Sequence, residues 1–350
     1  MTRTSLATIV PAMAIDWKIL GSPGADNSLL VTVDSGHARS RLLFDCGEGC
    51  LNSLKPSEIQ SIRHLFFSHY HMDHVSGFDT FFRHNYNRPE IPVQVWGPKG
   101  SIELLSNRFR SFTWNLHADQ PGEWIVRETD KDSVRGARFF TREAFTSAHD
   151  LPVVSLESGA ILSEADFSVK CFYLPHHNTG SSAYLVREKN HINVSPQALA
   201  TSGLIPGSWM QRLTDSSPDG DFVDVNGKSL LLGELRRALL KTSPGLSLAY
   251  LTDFCIKPHT REWSEVVQWI RGTNTLICEC QYAASDATLA QRNGHMTADR
   301  VGQLANEAGV GALVLQHLSR RYSEEEWANM RSEAAEQFQG AAFPPNWYIR

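Results

Sequence analysis

Three imidazoles and one carboxylate fall within six consecutive positions of this chain. They are His69, His71, Asp73 and His74, spaced as H-x-H-x-D-H. Imidazole nitrogen with carboxylate oxygen is a donor set suited to zinc and its first-row neighbours. The dense packing favours two ions over one, with His69 and His71 facing the first and Asp73 and His74 the second. The apolar run Leu65-Phe66-Phe67 leads straight into the cluster, so a strand ending there would deliver all four side chains to one small volume. The plain alternative is a His-rich surface turn. Against it, three other β-prone runs stop at ligand-type residues. Residues 167–174 stop at Pro175-His176-His177, residues 246–251 at Thr252-Asp253, and residues 312–315 at Gln316-His317. Layered α/β folds collect their chemistry at such strand ends. Together these residues supply a ligand set for two metals, and Asp253 is the natural bridge, since one carboxylate can bind both ions. Asp45 precedes Gly47 and Gly49 in a turn. It either holds a ligand imidazole by a hydrogen bond or satisfies turn amides.

The elements that must position these residues show as strand signals at 17–20, 29–33, 41–44, 65–67 and 93–96, with helical signals between and after them. The clearest helix starts at Thr297 as N-cap, with Asp299 in its first turn. Val301, Leu304, Ala305 and Ala308 form its apolar stripe and Gly309 its stop. Strands and helices alternate in both halves, which predicts a layered α/β fold with sheets inside and helices outside. Residues 1–12 read as a loose extension and 13–350 as one domain. Two spans read as insertions. Residues 105–150 carry Phe109, Phe112, Trp114 and Trp124 among charges, as a lobe, lid or dimer contact would. Residues 187–228 lie between the third histidine position and Asp253. His149-Asp150 has no strand run leading into it and is set aside as a ligand pair, and His64 reads as structural.

Composition bounds the partners. The net charge of −5 argues against indiscriminate nucleic-acid binding and leaves room for a local basic patch. The 6 cysteines form no regular disulfide framework and read as reduced thiols, several of them in apolar runs. No window is long and apolar enough for a transmembrane helix. The apolar stretch near the start is short and broken by Pro11, so the expected location is cytoplasmic.

The H-x-H-x-D-H run, with Phe44-Asp45-Cys46-Gly47-Glu48-Gly49 upstream, resembles the metallo-β-lactamase superfamily. Five stretches, 42–49, 66–77, 177–186, 277–282 and 294–322, resemble the ribonuclease Z family within it. The last two carry the most specific likeness. The resemblance implies a four-layer αββα sandwich with two metals at one edge between its sheets. It implies two zinc ions per chain, with manganese or another divalent ion as the alternative. It also implies an endoribonuclease that removes the 3′ trailer from precursor tRNA by attack of a metal-activated water. Asp73 would orient that water and take its proton. His69, His71 and His177 would hold one ion, and Asp73, His74 and His317 the other, with Asp253 bridging. His177 is favoured over His176 by its spacing to Ser181-Ser182-Ala183-Tyr184. Glu279 and His295 would form the proton-transfer pair for the leaving 3′-oxygen, and Arg321 would contact a phosphate. The 187–228 span would be an arm that grips tRNA, and the protein would be a homodimer with no membrane partner.

Two departures support a second reading, a small-molecule phosphodiesterase of the cyclic-nucleotide type on the same fold. Cations Arg187, Lys189, Arg212 and Lys228 in the arm face anions Glu188, Asp215, Asp219, Asp221 and Asp224, and the loop at 21–26 is short. A third reading, a non-catalytic RNA- or partner-binding relative, leaves the ligand set without a use.

Overall fold

The computed structural model describes residues 14–35, 38–156 and 159–349. The expected extension at 1–12 lies outside the described residues. The chain divides into two compact units, residues 1–187 with 246–350, and residues 188–245.

The larger unit begins with an eight-stranded sheet whose strands lie in chain order. They are β1 (Ala14–Leu20), β2 (Ser28–Asp34), β3 (Arg39–Phe44), β4 (Ile62–Phe66), β5 (Val93–Gly97), β6 (Glu123–Thr129), β7 (Ser133–Phe140) and β8 (His149–Ser155). Pairing is antiparallel from β1 to β3, parallel from β3 to β6 and antiparallel from β6 to β8. Helices α1 (Pro56–Ser61), α2 (Met72–Val75), α3 (Phe78–Asn85) and α4 (Ser101–Phe109) fall between these strands. The chain then forms β9 (Ala160–Ser163), β10 (Phe167–Leu174) and β11 (Ser181–Glu188). It passes through the smaller unit and returns with β16 (Ser247–Leu251), β17 (Thr275–Glu279) and β18 (Ala312–Gln316). The second sheet has the order β18-β17-β16-β11-β10-β9. Helices α7 (Arg261–Trp269), α8 (Ala287–Asn293), α9 (Ala298–Ala308) and α10 (Glu324–Gln337) belong to this half.

The layering follows from the two-residue period of strands. On β2, Leu29, Val31 and Val33 join the cluster between the sheets, while Leu30 joins the one beneath the helices. On β4, Phe66 faces the opposing sheet and Leu65 faces outward. Phe44 and Phe66 meet Tyr184 of the second sheet at ring distances of 5.4 and 5.3 Å. The outer face of the first sheet packs on Ile59 of α1, Phe78 and Phe81 of α3, and Ile102 and Leu105 of α4. The second sheet packs on Trp263 of α7, Val301 and Leu304 of α9, and Met330 of α10. The result is helix, sheet, sheet, helix. Thr297 stands at the N-cap of α9 as its spacing predicts, but its hydroxyl makes no capping bond, and Gly309 ends the helix at φ 60°.

The reading of 105–150 as a lobe, lid or dimer contact is corrected by this topology. β6, β7 and the first residues of β8 are strands of the main sheet, and Phe109, Trp124 and Phe145 are buried in the cluster under its helices. Trp124, Ile125 and Val126 are consecutive buried residues, so the strand shows no alternation in sequence.

The smaller unit runs from Glu188 to Gly245, farther than the 187–228 span read from sequence. It holds β12 (His191–Val194), α5 (Pro196–Ser202), β13 (Phe222–Val225), β14 (Lys228–Leu231), α6 (Leu232–Leu239) and β15 (Leu240–Ser243). β12 pairs with β15 and β13 with β14. Trp209, Leu213, Val223, Val225, Leu232, Leu235 and Leu239 form its own core. Two of its arginines are paired with its own carboxylates. Arg212 pairs with Asp215 at 3.3 Å and Asp221 at 3.0 Å, and Arg236 with Asp219 at 2.6 Å.

Candidate metal centre and active site

Strand ends assemble the centre. β16, β17 and β18 are parallel, with Leu251 beside Cys278 and Cys278 beside Leu315. The residues just past them, Asp253 and His317, therefore emerge on one sheet edge with Glu279. From the facing sheet, β4 runs into Ser68 and His69, and α2 begins directly after His71. Asp45, Asp253 and His317 adopt left-handed backbone, with φ of 57°, 51° and 56°. This region is costly for residues with a Cβ and persists where surrounding contacts over-determine it. All three sit where their strand has just ended and the side chain must turn toward the centre.

Two clusters of donor atoms result. One joins His69, His71 and His176, and the other Asp73, His74, Asp253 and His317. In the first, the His176 ring lies 5.1 Å from the rings of both His69 and His71. In the second, His74 Nε2 is 3.1 Å from Asp253 Oδ2 and 3.4 Å from Asp73 Oδ2. His317 Nε2 is 3.4 Å from Asp73 Oδ2 and 3.7 Å from Asp253 Oδ2.

The sequence-based choice of His177 for the first cluster is corrected. His176 is buried and turned inward, with Gly294 O accepting from its Nδ1 at 2.9 Å. His177 is exposed, its backbone reversed at φ 48°. An added Cβ on Gly294 would come within 3.0 Å of both imidazoles, so the glycine permits the close pass that holds them.

The Nδ1 atoms of His69, His74 and His317 also have neighbours. Asp45 is fully buried and accepts from Ser68 N at 2.7 Å, Ser68 Oγ at 2.8 Å, His74 Nδ1 at 2.8 Å and Tyr250 OH at 2.9 Å. Ser68 Oγ lies 3.0 Å from His69 Nδ1, so the same carboxylate braces one histidine of each cluster, the first through a hydroxyl. The Gln281 side-chain amide lies 3.1 Å from His317 Nδ1. With Nδ1 engaged in His69, His74 and His176, the Nε2 of each is free to face the centre, while His71 turns its Nδ1 toward His176 Nε2 at 3.4 Å. His69 Nε2 and His74 Nε2 are buried without an aligned hydrogen bond, although carboxylate oxygens stand near His74. Buried polar atoms left unpaired at the focus of neutral imidazoles and carboxylates fit divalent metal ions.

Electrostatics agree with that fit. Burial drives the His69 imidazole down to about 2, keeping it neutral as a ligand must be. For His74 burial also opposes charge, but Asp253 and Asp45 outweigh it and raise the pKa. Burial pushes the Asp73 carboxyl up, yet hydrogen bonds from His317 and His74 hold it well below the usual range. Without metal, the second cluster holds itself together as alternating charges.

Beside the clusters, Glu279 is fully buried, its Oε1 accepting from Phe254 N at 2.6 Å and its Oε2 2.9 Å from His295 Nδ1. Burial lowers the His295 pKa, but the charge and hydrogen bond of Glu279 overcome it and raise the group to about 8. A cavity of about 480 Å³ opens at Asp73 and His317 and is lined also by Gly24, Asp26, Glu48, Gln281 and Arg320. Arg321 is not among its lining residues. Its guanidinium stands 5.8 Å from the rings of Tyr282 and Tyr322.

Sequence reasoning missed His176, Ser68, Tyr250, Gln281 and Arg320. Only Ser68 carried a usable signal, as a hydroxyl directly before the first histidine. His64 is a buried core residue receiving a hydrogen bond from Trp96 at 3.3 Å, and His149 pairs with Glu143 on an exposed strand at 2.6 Å. All 6 cysteines are free thiols.

This chain is 39% identical over 329 residues to the ribonuclease Z of Deinococcus radiodurans, covering 94% of this chain and 97% of that one. The chain belongs to the ribonuclease Z family. It is therefore a metal-dependent hydrolase, and the clusters above are candidate donors for its divalent ions. A family profile described as "Anti-Pycsar protein Apyc1" matches residues 25–115. Among solved structures, human tRNase Z, short form, aligns with a TM-score of 0.53 at 16% identity, over 95% of this chain and 99% of that one. The metallo-β-lactamase fold protein YhfI from Bacillus subtilis aligns with a TM-score of 0.53 at 17% identity, over 93% of this chain and 95% of that one. These likenesses show the fold: this ribonuclease Z family member is a four-layer metallo-β-lactamase sandwich.

Proposed function

We propose that the protein removes the 3′ trailer of precursor tRNA, cutting one phosphodiester by water attack at the two clusters. The observation that carries this reading is the placing of two donor clusters beside a buried carboxylate–imidazole pair. His69, His71 and His176 would hold one ion, and Asp73, His74 and His317 the other, with Asp253 between them. Two zinc ions per chain suit the donors, and manganese is the second choice. When bound, such ions supply Lewis-acid stabilisation of phosphate charge and a lowered pKa for the attacking water.

The chain's own residues carry the proton traffic. Asp73 is half-buried at the cavity and accepts the proton of the water. His295 is the donor to the departing ribose 3′-oxygen, which leaves poorly as an alkoxide. Glu279 keeps that imidazole protonated to about pH 8 and fixes which nitrogen faces outward. The products are a tRNA 3′-hydroxyl and a trailer bearing a 5′-phosphate. The smaller unit is the arm that holds the tRNA body. The family likeness extends the reading to a homodimer in the cytoplasm, which light scattering and fractionation test. No described helix is long and apolar enough to cross a membrane.

A second reading, hydrolysis of a small phosphodiester such as a cyclic nucleotide, is favoured by the pairing of Arg212 and Arg236 with carboxylates of the arm, which leaves them less free for phosphates. Incubation with a 3′-extended precursor tRNA, a cyclic nucleotide and bis-p-nitrophenyl phosphate separates the two. Turnover of the small diesters without tRNA cleavage would select the second reading.

A further inference from the structure

We propose that Arg320 binds a backbone phosphate of the RNA adjacent to the one being cut, and that it does so in place of Arg321. The inference rests on the reading above that the substrate is RNA. Arg320 lines the cavity that opens at Asp73 and His317, and the other charged side chains on that cavity's wall are Asp26, Glu48 and Asp73. Arg320 forms no ion pair with any of them, nor with any other described residue. The Asp26 carboxylate is instead engaged by the Glu48 backbone N–H at 3.0 Å. A guanidinium beside carboxylates, yet unpaired, leaves its donor fork open to another anion.

Its stem passes close to Gly24. Gly24, in left-handed backbone at φ 67°, sits so close that an added Cβ would stand 3.3 Å from Arg320 Cγ and 3.0 Å from the Trp327 ring. Trp327 in turn donates to Ser319 O at 3.0 Å, fixing the turn that presents Arg320. Arg320 is outside both donor clusters, so the scissile phosphate, drawn to those clusters, leaves it the next phosphate along the chain. Guanidinium matches phosphate oxygens in paired hydrogen bonds. The carboxylates of Asp26 and Glu48 repel a phosphate from the rest of that wall, so the RNA backbone is steered along the Arg320 side.

Binding of a fluorescent 3′-extended precursor tRNA to the metal-loaded full chain tests this. The His295→Ala background slows cleavage, and anisotropy is read from about 50 to 200 mM salt. Arg320→Ala should weaken binding about tenfold and make the log–log salt slope shallower by about 1. Arg320→Lys should keep the slope, and Arg321→Ala should keep both slope and affinity. In the otherwise native protein the Arg320→Ala loss should fall on KM rather than kcat. Metal content of each variant guards against a disturbed centre. An unchanged slope, an equal effect from Arg321→Ala, a loss confined to kcat, or lost metal in Arg320→Ala would each overturn the assignment. Precursor cleavage by the native protein is scored alongside. Its absence would sink the tRNA reading, while the RNA-binding slope would still decide the role of Arg320.

Discussion

The catalytic edge and the 188–245 unit are built on opposite principles. At the edge, charged and polar groups are buried and aimed at a common focus: Asp45 and Glu279 are fully buried, and the buried His69 Nε2 makes no hydrogen bond. In the smaller unit the core is apolar, and Arg212 and Arg236 are paired with Asp215, Asp219 and Asp221. Buried polar groups without partners are expensive and survive where they serve a ligand. Exposed ion pairs contribute little either way. The first region is therefore committed to one chemistry, while the second is a self-contained fold with its own apolar core.

The comparison breaks most sharply at Asp253. Asp253→Ala removes a carboxylate that stands between His74 and His317 and should lower turnover of every diester, on the order of 10⁴-fold or more. Elemental analysis should show less than two ions per chain in this variant and close to two in the native protein. Full metal content with full activity would contradict the bridge.

His295→Ala comes next. It should keep metal content and slow precursor cleavage by roughly 10²–10⁴-fold, with a smaller deficit on bis-p-nitrophenyl phosphate, whose leaving group needs little protonation. The pH dependence has a definite sign. The His295 pKa is raised from 6.5 to about 8, so the protonated donor persists to about pH 8 and kcat/KM should fall above it. Glu279→Gln removes the charge that raises it and should move that limb to lower pH. The same linkage acts on stability in metal-depleted protein: the contribution of the pair is complete below about 6.5 and disappears as pH rises through about 8. An unmoved limb in Glu279→Gln would remove this carboxylate from the proton path.

The smaller unit should fail differently. Gly245 packs so close to Glu188 and Lys189 that an added Cβ would stand 2.6 Å from their carbonyl oxygens, so the ends of the unit meet and a short Gly/Ser linker can replace it. That deletion should spare bis-p-nitrophenyl phosphate hydrolysis and raise the precursor KM by about 10²-fold or more, since remote contacts position the substrate. The part of the affinity lost should depend weakly on salt, because Arg212 and Arg236 are already paired with carboxylates of the unit. Equal activity on precursor tRNA before and after deletion would show that the unit is not an arm.

The smallest expected effect is local. Ser195→Ala removes the hydroxyl that accepts from Ala198 N at 3.2 Å and caps α5. It should cost about 1 kcal/mol in that unit, read by hydrogen exchange, with diester hydrolysis unaffected.

Much of the edge was legible because its ligands come in a contiguous run and at the ends of recognisable apolar strands. His69, His71, Asp73, His74, Asp253 and His317 needed only residue type and strand-end position. The choice between His176 and His177 did not, since it turns on a hydrogen bond to Gly294, 118 residues away, and on a backbone reversal invisible in sequence. Arg320 and Arg321 are likewise adjacent, and only the folded turn shows which one lines the cavity. The strands within 105–150 were lost because residues buried on both faces erase the period that announces a strand. The smaller unit's far boundary was lost because β15 returns to pair with β12 across nearly the whole unit.

The central claim is a metal-dependent cut that releases the 3′ trailer. Its most direct test is incubation of metal-loaded protein with a 3′-extended precursor tRNA, followed by mapping of both new ends. One cut is predicted, leaving a 3′-hydroxyl on the tRNA and a 5′-phosphate on the trailer, abolished by a chelator and restored by zinc or manganese. An uncut precursor, a cut that survives complete metal removal, or a 3′-phosphate on the tRNA would contradict it.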